Sequence, residues 1–278
     1  MVLRRGCLWR AATLNGAPLP APRLLPVAWA EGQTFTGDDD AAGAIPVPAV
    51  AAAERAAAAR VSELDVSRVS GCRPGHSFAR VVADVLTEAE CAALVAAANA
   101  KGFTPALVNQ GNGTQRYLPR VRDGSRMLID SPPFARWLLD VVRPHVPPAV
   151  PWHASFDDRA NPRELPPGAP LAVAGLNPRF RFLCYSPGHR FKPHRDGHQW
   201  IGAAVSVLTL HLYLHSSDVS DGGAIVFLDN RREAAAVHVP TRGTALLFTQ
   251  ELLHEGASVA AGYKYTVRSD VLFAPAVA

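Results

Sequence analysis

Two histidines and an aspartate have the types and the spacing of a metal site. His194 and Asp196 are one residue apart, and His254 lies in a separate Leu-Leu-His-Glu-Gly segment farther along the chain. Because side chains alternate along a β-strand, residues two positions apart point to the same side. A histidine from a distant strand would complete a 2-His-1-carboxylate site, which leaves positions open for substrate and O2 on Fe(II). The three residues therefore predict a catalytic metal centre.

The segments that must position these residues look like strands separated by turns. They are rich in aromatic and β-branched residues and are bounded by Ser, Pro, Gly and Asp. The predicted strands lie in residues 177–185, 190–196, 205–214, 224–228, 237–248 (two strands broken by a Pro/Gly turn) and 263–273. Strands at this spacing, with no helical pattern between them, predict a sandwich or jelly roll with the metal at its mouth.

A series of short motifs adds a family resemblance. In chain order they are Tyr-x-Pro-Gly from Tyr185, His194-x-Asp196, Leu-Tyr-Leu from Leu212, Gly-Gly-Ala from Gly222, Pro-x-x-Gly-x-Ala-Leu-Leu-Phe from Pro240, His-Glu-Gly from His254 and Gly-x-Lys-Tyr from Gly262. Residues 177–273 thus resemble the catalytic domain of the Fe(II)/2-oxoglutarate-dependent dioxygenases, in the prolyl 4-hydroxylase-like branch. The resemblance implies a mostly β fold with flanking helices (α+β), in which a double-stranded β-helix (jelly roll) core packs on N-terminal helices.

The resemblance also implies the ligands and co-substrates. His194, Asp196 and His254 would hold Fe(II), with 2-oxoglutarate and O2 as co-substrates and ascorbate as a further candidate cofactor. Lys264 matches the position whose cation pairs with the distal carboxylate of 2-oxoglutarate, a charge-assisted hydrogen bond. Tyr213 and Tyr185 match positions where a phenol binds the co-substrate; alternatively, both are core aromatics.

Several assignments have an alternative. Lys264 and Arg268 share a strand face, so Arg268 could replace Lys264 as the carboxylate partner; its other interpretation is an ion pair with Asp270. We favour Lys264. His211 has the strand parity of Tyr213 and is a candidate substrate contact. Arg126, in a segment that resembles one leading into the family's pocket, is another.

Charge and composition limit the classes of partner. The net charge is +4, but four of the basic residues lie in residues 1–30, which contain no acid, so the rest of the chain is neutral. This distribution does not favour nucleic acid, and no apolar run is long enough for a membrane span. The four cysteines form no CxxC or disulfide pattern, which favours an intracellular, cytoplasmic location. The basic start of the chain is either an organelle (mitochondrial) import signal or a disordered tail.

The whole chain divides into three predicted parts. Residues 1–47 form a disordered or targeting segment and linker, residues 48–175 a helical flank with support strands, and residues 176–278 the oxygenase core; 48–278 would be one structural domain. Helices are expected in the Ala-rich stretch 48–67, from the capping box of Thr87 and Glu90 to a stop at Gly102, and from Pro132 onward. The polar loop 109–114 is either a mobile lid or an ordinary surface loop.

The predicted activity is hydroxylation of a C–H bond. The branch resemblance favours a protein or peptide substrate with a prolyl or similar side chain. A small-molecule oxygenase is the alternative, because fold and cofactor do not fix the substrate. A third interpretation is a non-catalytic, cupin-like metal-binding protein, against which Lys264 argues, since a structural metal site needs no buried cation beside it.

Overall fold

Two antiparallel β-sheets face each other in the computed structural model of the chain, which describes residues 13–14, 17–36, 44–110, 114–152, 166 and 168–275. The strands are β1 (Thr13–Leu14), β2 (Ala17–Pro18), β3 (Thr34–Thr36), β4 (Val61–Leu64), β5 (Ala79–Val82), β6 (Thr104–Pro105), β7 (Val108–Asn109), β8 (Thr114–Arg116), β9 (Arg122–Asp123), β10 (Ser125–Asp130), β11 (Ala149–Pro151), β12 (Pro170–Leu176), β13 (Arg179–Tyr185), β14 (Arg190–His194), β15 (Trp200–Ile201), β16 (Ala204–Tyr213), β17 (Ile225–Leu228), β18 (Ala234–His238), β19 (Ala245–Thr249), β20 (His254–Gly256) and β21 (Lys264–Pro275).

The larger sheet has eleven described strands and the smaller sheet five. The central order in the large sheet is β4-β5-β19-β16-β21-β13-β10-β6, and the order in the small sheet is β18-β17-β20-β14-β9. Neighbours in the sheets come from distant parts of the chain, as in β16 beside β21 and β14 beside β20. The expectation of a mostly β, jelly-roll core with flanking helices is confirmed.

In the described part of the chain three α-helices flank the sheets: α1 (Ala52–Ala58), α2 (Glu88–Lys101) and α3 (Pro132–Val142). The capping box is present at the start of α2, where the Thr87 side chain accepts from the Glu90 N–H and the Glu90 carboxylate accepts from the Thr87 N–H. Gly102 ends α2 with a φ of +94°, a conformation that favours glycine. Ser131 caps α3 through a hydrogen bond from the Phe134 N–H.

Side-chain alternation on β16 creates two apolar layers. Leu208, Leu210 and Leu212 belong to the large core beneath α2 and α3. Tyr213 has the opposite parity and packs with Phe227 of the small sheet, in a second cluster between the two sheets. Residues of the Tyr213 parity therefore face the space between the sheets, where the candidate site lies.

The Ala-rich stretch 48–67 is helical over only seven residues, so the expectation of a helix along most of it is wrong. The chain turns instead into β4, which pairs with β5 at the edge of the large sheet. Backbone pairing with an available sheet edge outweighs the modest helix propensity of alanine here.

Part of the N-terminal segment packs on the body of the protein. Leu19 is buried, the Leu25 N–H donates to the Phe103 carbonyl at 2.8 Å, and the Tyr265 hydroxyl donates to the Pro20 carbonyl at 2.9 Å. Strand β3 joins β8 and β7 in a small three-stranded sheet. The boundaries of the three parts, an import signal and the cellular compartment stay predictions.

The loop predicted as a lid connects β7 to β8, which pair as a hairpin. Residues 111–113 of that loop lie outside the described residues. No helix in the described part of the chain is long and apolar enough to cross a membrane.

Candidate metal centre and co-substrate pocket

The three predicted ligands meet at the ends of two adjacent strands. His194 on β14 lies directly opposite His254 on β20, and the two ring centroids are 4.3 Å apart. The Asp196 carboxylate lies 3.7 Å from Nε2 of His194 and 3.8 Å from Nε2 of His254. The ligand atoms of all three residues lie within 4.8 Å of one another, a grouping that could hold a metal ion.

Asp196 does not lie on the strand that carries His194. Strand β14 ends at His194, and the Asp196 N–H donates instead to the Gln250 carbonyl at 3.0 Å. The expectation of one strand for both residues was therefore wrong, although their side chains do converge. Beyond His194 the Asp196 N–H pairs with Gln250, which precedes β20 in the chain, so the ladder with β20 does not continue to Asp196.

Both imidazoles are held in the tautomer that a metal requires. Nδ1 of His194 contacts the Lys192 carbonyl at 2.8 Å, and Nδ1 of His254 contacts the Leu252 carbonyl at 2.9 Å. Because a carbonyl oxygen only accepts, each Nδ1 carries the proton and each Nε2 keeps its lone pair. Burial and the nearby His254 lower the pKa of His194 to about 3, and burial lowers the pKa of His254. Both rings are therefore neutral at neutral pH.

The Asp196 carboxylate is ionised, and two neighbouring side chains hold it in place. Burial alone would raise its pKa, but Arg268 and the two imidazoles outweigh burial, so the pKa lies below its ordinary value. The Thr209 hydroxyl donates to Oδ2 at 2.6 Å, and an Arg268 nitrogen forms an ion pair with Oδ1 at 3.0 Å. Such outer contacts orient metal-binding carboxylates.

A pocket between the two sheets surrounds the three residues. Its lining comes from both sheets: Arg122, Leu183, Tyr185, Phe191, His194, Asp196, His211, Ile225, His254, Gly256, Lys264, Thr266 and Arg268. The His194 side chain keeps 20% of its surface exposed, against 2% for His254, so the pocket opens on the His194 side.

Lys264 brings an unpaired cation into this pocket. It is buried, and no acidic side chain in the described part of the chain pairs with it. Its ammonium lies 5.5 Å from the centre of the Tyr185 ring. Burial lowers the pKa of Lys264 to about 7. An isolated buried cation is costly, so the pocket is electrostatically suited to an anion.

Arg268, the alternative candidate, is already paired. Its guanidinium contacts Asp196 at 3.0 Å and Asp270 at 3.2 Å. Asp270 also binds Arg181 at 3.0 Å and the Gln250 amide at 3.1 Å. The ion pair with Asp270 that the sequence indicated is therefore present, and Arg268 additionally supports a candidate metal ligand.

Several buried polar atoms around the pocket have no hydrogen-bond partner in the described part of the chain. They are the Tyr213 hydroxyl, Nδ1 of His211, the Thr266 hydroxyl, Nε of Arg268 and Nε of Arg122. Buried polar groups without partners are uncommon in folded proteins. Their clustering fits a polar, anionic ligand beside the three candidate metal ligands.

The other predicted site residues divide into two groups. Tyr185 and His211 line the pocket, and Tyr213 is fully buried in the cluster between the sheets but is not among the lining residues. Arg126 is not among the lining residues either, and its guanidinium contacts the Gln115 side chain.

Contributors to the site that were not singled out from the sequence include Arg122, Leu183, Phe191, Thr209 and Ile225. The Phe191 ring stacks on His194 with centroids 3.6 Å apart. Strict alternation would put these two residues on opposite faces, but the register shifts between them, and Pro193 cannot donate to the ladder. Proline within the strand was the available signal for that shift.

A jelly roll whose pocket holds two imidazoles and a carboxylate, with an open side, has the architecture of a mononuclear non-haem Fe(II) enzyme. Residues 180–269 match the family model of the 2OG-Fe(II) oxygenase superfamily. The chain therefore carries a 2OG-Fe(II) oxygenase domain and is a dioxygenase that uses Fe(II), 2-oxoglutarate and O2. The predicted superfamily, enzyme class and co-substrates are confirmed.

Comparison with solved structures gives similar proteins at low identity. A viral collagen prolyl hydroxylase from Paramecium Bursaria Chlorella virus-1, in its 2OG complex, is 18% identical with a TM-score of 0.45, covering 70% of this chain and 96% of that one. A Pseudomonas putida prolyl-4-hydroxylase is 14% identical with a TM-score of 0.45, covering 79% and 97%. A carbocyclase from nogalamycin biosynthesis is 12% identical with a TM-score of 0.42, covering 81% and 86%. No curated protein matches the sequence.

Proposed function

We propose that this protein hydroxylates an unactivated C–H bond, with His194, Asp196 and His254 as the Fe(II) ligands and Lys264 as the anchor of 2-oxoglutarate. The observation that carries the proposal is the buried ammonium of Lys264, which no described acidic side chain pairs with and which lies in the same pocket as the three converging ligand atoms. A metal site with only a structural role would gain nothing from this cation.

The ligand assignment rests on donor chemistry. Two neutral Nε2 atoms and one ionised carboxylate form the donor set that suits Fe(II) in oxygenases. The carbonyls of Lys192 and Leu252 hold the rings, and Thr209 and Arg268 hold the carboxylate. These contacts fix the orientation of all three side chains around the proposed metal position.

Lys264 is the better partner for the distal carboxylate because Arg268 already binds Asp196 and Asp270. Gly223 packs against the Lys264 stem, where a Cβ would lie 3.3 Å from Cδ, and its φ of +72° favours glycine. Tyr213 and Tyr185 are the proposed phenol contacts. The Tyr213 hydroxyl has no hydrogen-bond partner among the described residues, and the Tyr185 ring lies beside the Lys264 ammonium.

Bound Fe(II) would supply the redox chemistry that couples oxidative decarboxylation of 2-oxoglutarate, to succinate and CO2, with substrate hydroxylation by O2. The residues of this chain would bind and orient the reactants. The apolar walls, Leu183, Ile225 and Phe191, would limit the access of water to the reacting carbon. His211 lines the pocket, its Nδ1 has no partner within the described ranges, and it is the proposed substrate contact. Arg126 is the less favoured one, because Gln115 already contacts it.

The substrate we favour is a prolyl or similar residue in a peptide, supported by the ordered prolyl 4-hydroxylase-like motifs from Tyr185 to Tyr265. The test is succinate release by the Fe(II)-loaded enzyme with proline-rich peptides and with small cyclic amines, followed by mass spectrometry for the addition of one oxygen atom. Peptide-stimulated succinate with an oxidised prolyl product supports the proposal. Stimulation only by small molecules would assign the alternative, a small-molecule oxygenase.

The same assay separates catalysis from mere metal binding. Uncoupled succinate release without any substrate is expected from the wild type and not from His194→Ala or Asp196→Ala. A protein that binds iron but never converts 2-oxoglutarate would instead be a non-catalytic metal-binding protein. Ascorbate enters the same assay as an additive, and a rate that rises with it would support a role for ascorbate in keeping the iron reduced.

A further inference from the structure

A second cation, Arg122, lies on the wall of the pocket opposite Lys264. It belongs to β9 of the small sheet, where it pairs with Phe191, whereas Lys264 begins β21 of the large sheet. The guanidinium carbon lies 4.8 Å from the centre of the Phe191 ring, which also stacks on His194. One aromatic ring therefore separates the Arg122 guanidinium from a candidate metal ligand.

Arg122 has no acidic partner among the residues that the structure describes. It is 8% exposed, its Nη1 donates to the Leu107 carbonyl at 3.2 Å, and its Nε is buried without a partner in the described part of the chain. Arginines are rarely so buried unless an anion pairs with them. A carbonyl and an aromatic ring leave most of this charge without compensation.

The proposed cofactor and co-substrate would not supply the missing anion. One carboxylate of 2-oxoglutarate would bind Fe(II), and Lys264 would take the distal one. Asp196 and Arg268 already form a pair. Among the described residues that line the pocket, no anion would then be left to pair with Arg122, so the anion would have to come from the substrate.

We infer that Arg122 binds a carboxylate of the substrate, so that the enzyme oxidises acids in preference to their neutral amides. This inference rests on the proposed function. A guanidinium recognises carboxylates through paired N–H donors. Since one ring separates Arg122 from His194, the carboxylate would lie only a few bonds from the oxidised carbon. A peptide C-terminus, an acidic side chain and a small organic acid share this chemistry.

The test compares the binding of matched acids and amides to the protein loaded with Mn(II) and 2-oxoglutarate, which does not turn over. The pairs are N-acetyl-L-proline and its amide for a C-terminus, N-acetyl-L-glutamic α-amide and the corresponding glutamine compound for a side chain, and 3-phenylpropionate and its amide for a small acid. Ligand-observed NMR gives the affinities. We expect at least one acid to bind about tenfold or more tightly than its amide, the effect of one charge-assisted contact.

Variants decide whether Arg122 causes the preference. Arg122→Met should bind acid and amide equally, and Arg122→Lys should keep part of the preference. The matched control is Arg190→Met, an exposed arginine on the neighbouring strand β14, which should keep all of it. The melting temperature of each variant is measured in parallel, because Arg122 also holds the Leu107 carbonyl.

Three results would overturn the inference: no acid is preferred by the wild type, Arg122→Met keeps the preference, or Arg122→Met loses 2-oxoglutarate affinity together with it. The last would put Arg122 in the co-substrate site. A wild type that releases succinate without preferring acids contradicts only this inference. A protein that prefers acids but releases no succinate contradicts only the proposed function.

Discussion

Replacing Lys264 with methionine should stabilise the empty protein while weakening its binding of 2-oxoglutarate. Burial lowers the pKa of Lys264 from 10.5 to about 7. The unfolded chain binds this proton more tightly than the folded one. At pH values below 10.5 the lysine therefore lowers the free energy of unfolding, and this loss of stability disappears as pH rises from about 7 to 10.5. A pKa difference of one between the two states corresponds to about 1.36 kcal/mol. Lys264 therefore lowers the free energy of unfolding by about 4 kcal/mol near pH 7.

Methionine has a similar length and no charge, so Lys264→Met should raise the free energy of unfolding by about 1–4 kcal/mol at pH 7. The lost hydrogen bond to the distal carboxylate should weaken 2-oxoglutarate binding by about 1.5–3 kcal/mol, or roughly 10- to 150-fold in Kd. Urea unfolding of the metal-free protein gives the first quantity. Calorimetric titration of the Mn(II)-loaded protein with 2-oxoglutarate gives the second.

Arg268→Met is the matched comparison, because it should change stability in the opposite direction. Removing the guanidinium leaves the buried carboxylates of Asp196 and Asp270 without it, which should destabilise the protein by about 3–5 kcal/mol. The reasoning fails if Lys264→Met lowers the free energy of unfolding, or if it binds 2-oxoglutarate as tightly as the wild type.

Three other predictions test separate parts of the site and fold. The Kd for 2-oxoglutarate should rise as pH increases above about 7, where Lys264 loses its charge, and stay level just below; titrations from pH 6 to 9 check this, and a flat profile would contradict it. Thr209→Val should weaken metal binding about tenfold by removing the 2.6 Å bond to Asp196, measured by competition with a chelating dye, and Thr209→Ser should retain most of the affinity. Thr87→Ala should lower the free energy of unfolding by about 1 kcal/mol in urea melts through loss of the α2 cap, whereas Thr87→Ser should not.

The sequence was sufficient for the core strands because each carries its own signal. The run 205–214 is rich in β-branched and apolar residues and alternates from Leu208 to Tyr213; in the structure it is β16, with Leu208, Leu210 and Leu212 in the large core and Tyr213 in the cluster between the sheets. The Thr87 capping box likewise predicted the start of α2. Local patterns of this kind depend on one segment alone, so they can be read without knowing the tertiary fold.

Features that depend on pairing between distant segments were not accessible. Strand β4 exists because the edge of β5 is free to pair with it. Asp196 lies off its expected strand and pairs with Gln250, and Phe191 lines the pocket together with His194 because the β14–β20 register shifts between them. Arg122 reaches the pocket only through the pairing of β9 with β14. The pattern of apolar and polar residues around each of these positions does not indicate the pairing.

The most direct test of the central claim is an anaerobic titration of the metal-free protein, first with Fe(II) and then with 2-oxoglutarate. The arrangement of His194, Asp196 and His254 predicts one tightly bound Fe(II) per chain, followed by a visible charge-transfer band when 2-oxoglutarate binds to the iron. Asp196→Ala should lose both signals while Glu255→Ala, at the neighbouring half-buried position, should keep them. Full iron binding and an unchanged band in Asp196→Ala, or no iron binding by the wild type, would contradict the assignment of this metal centre.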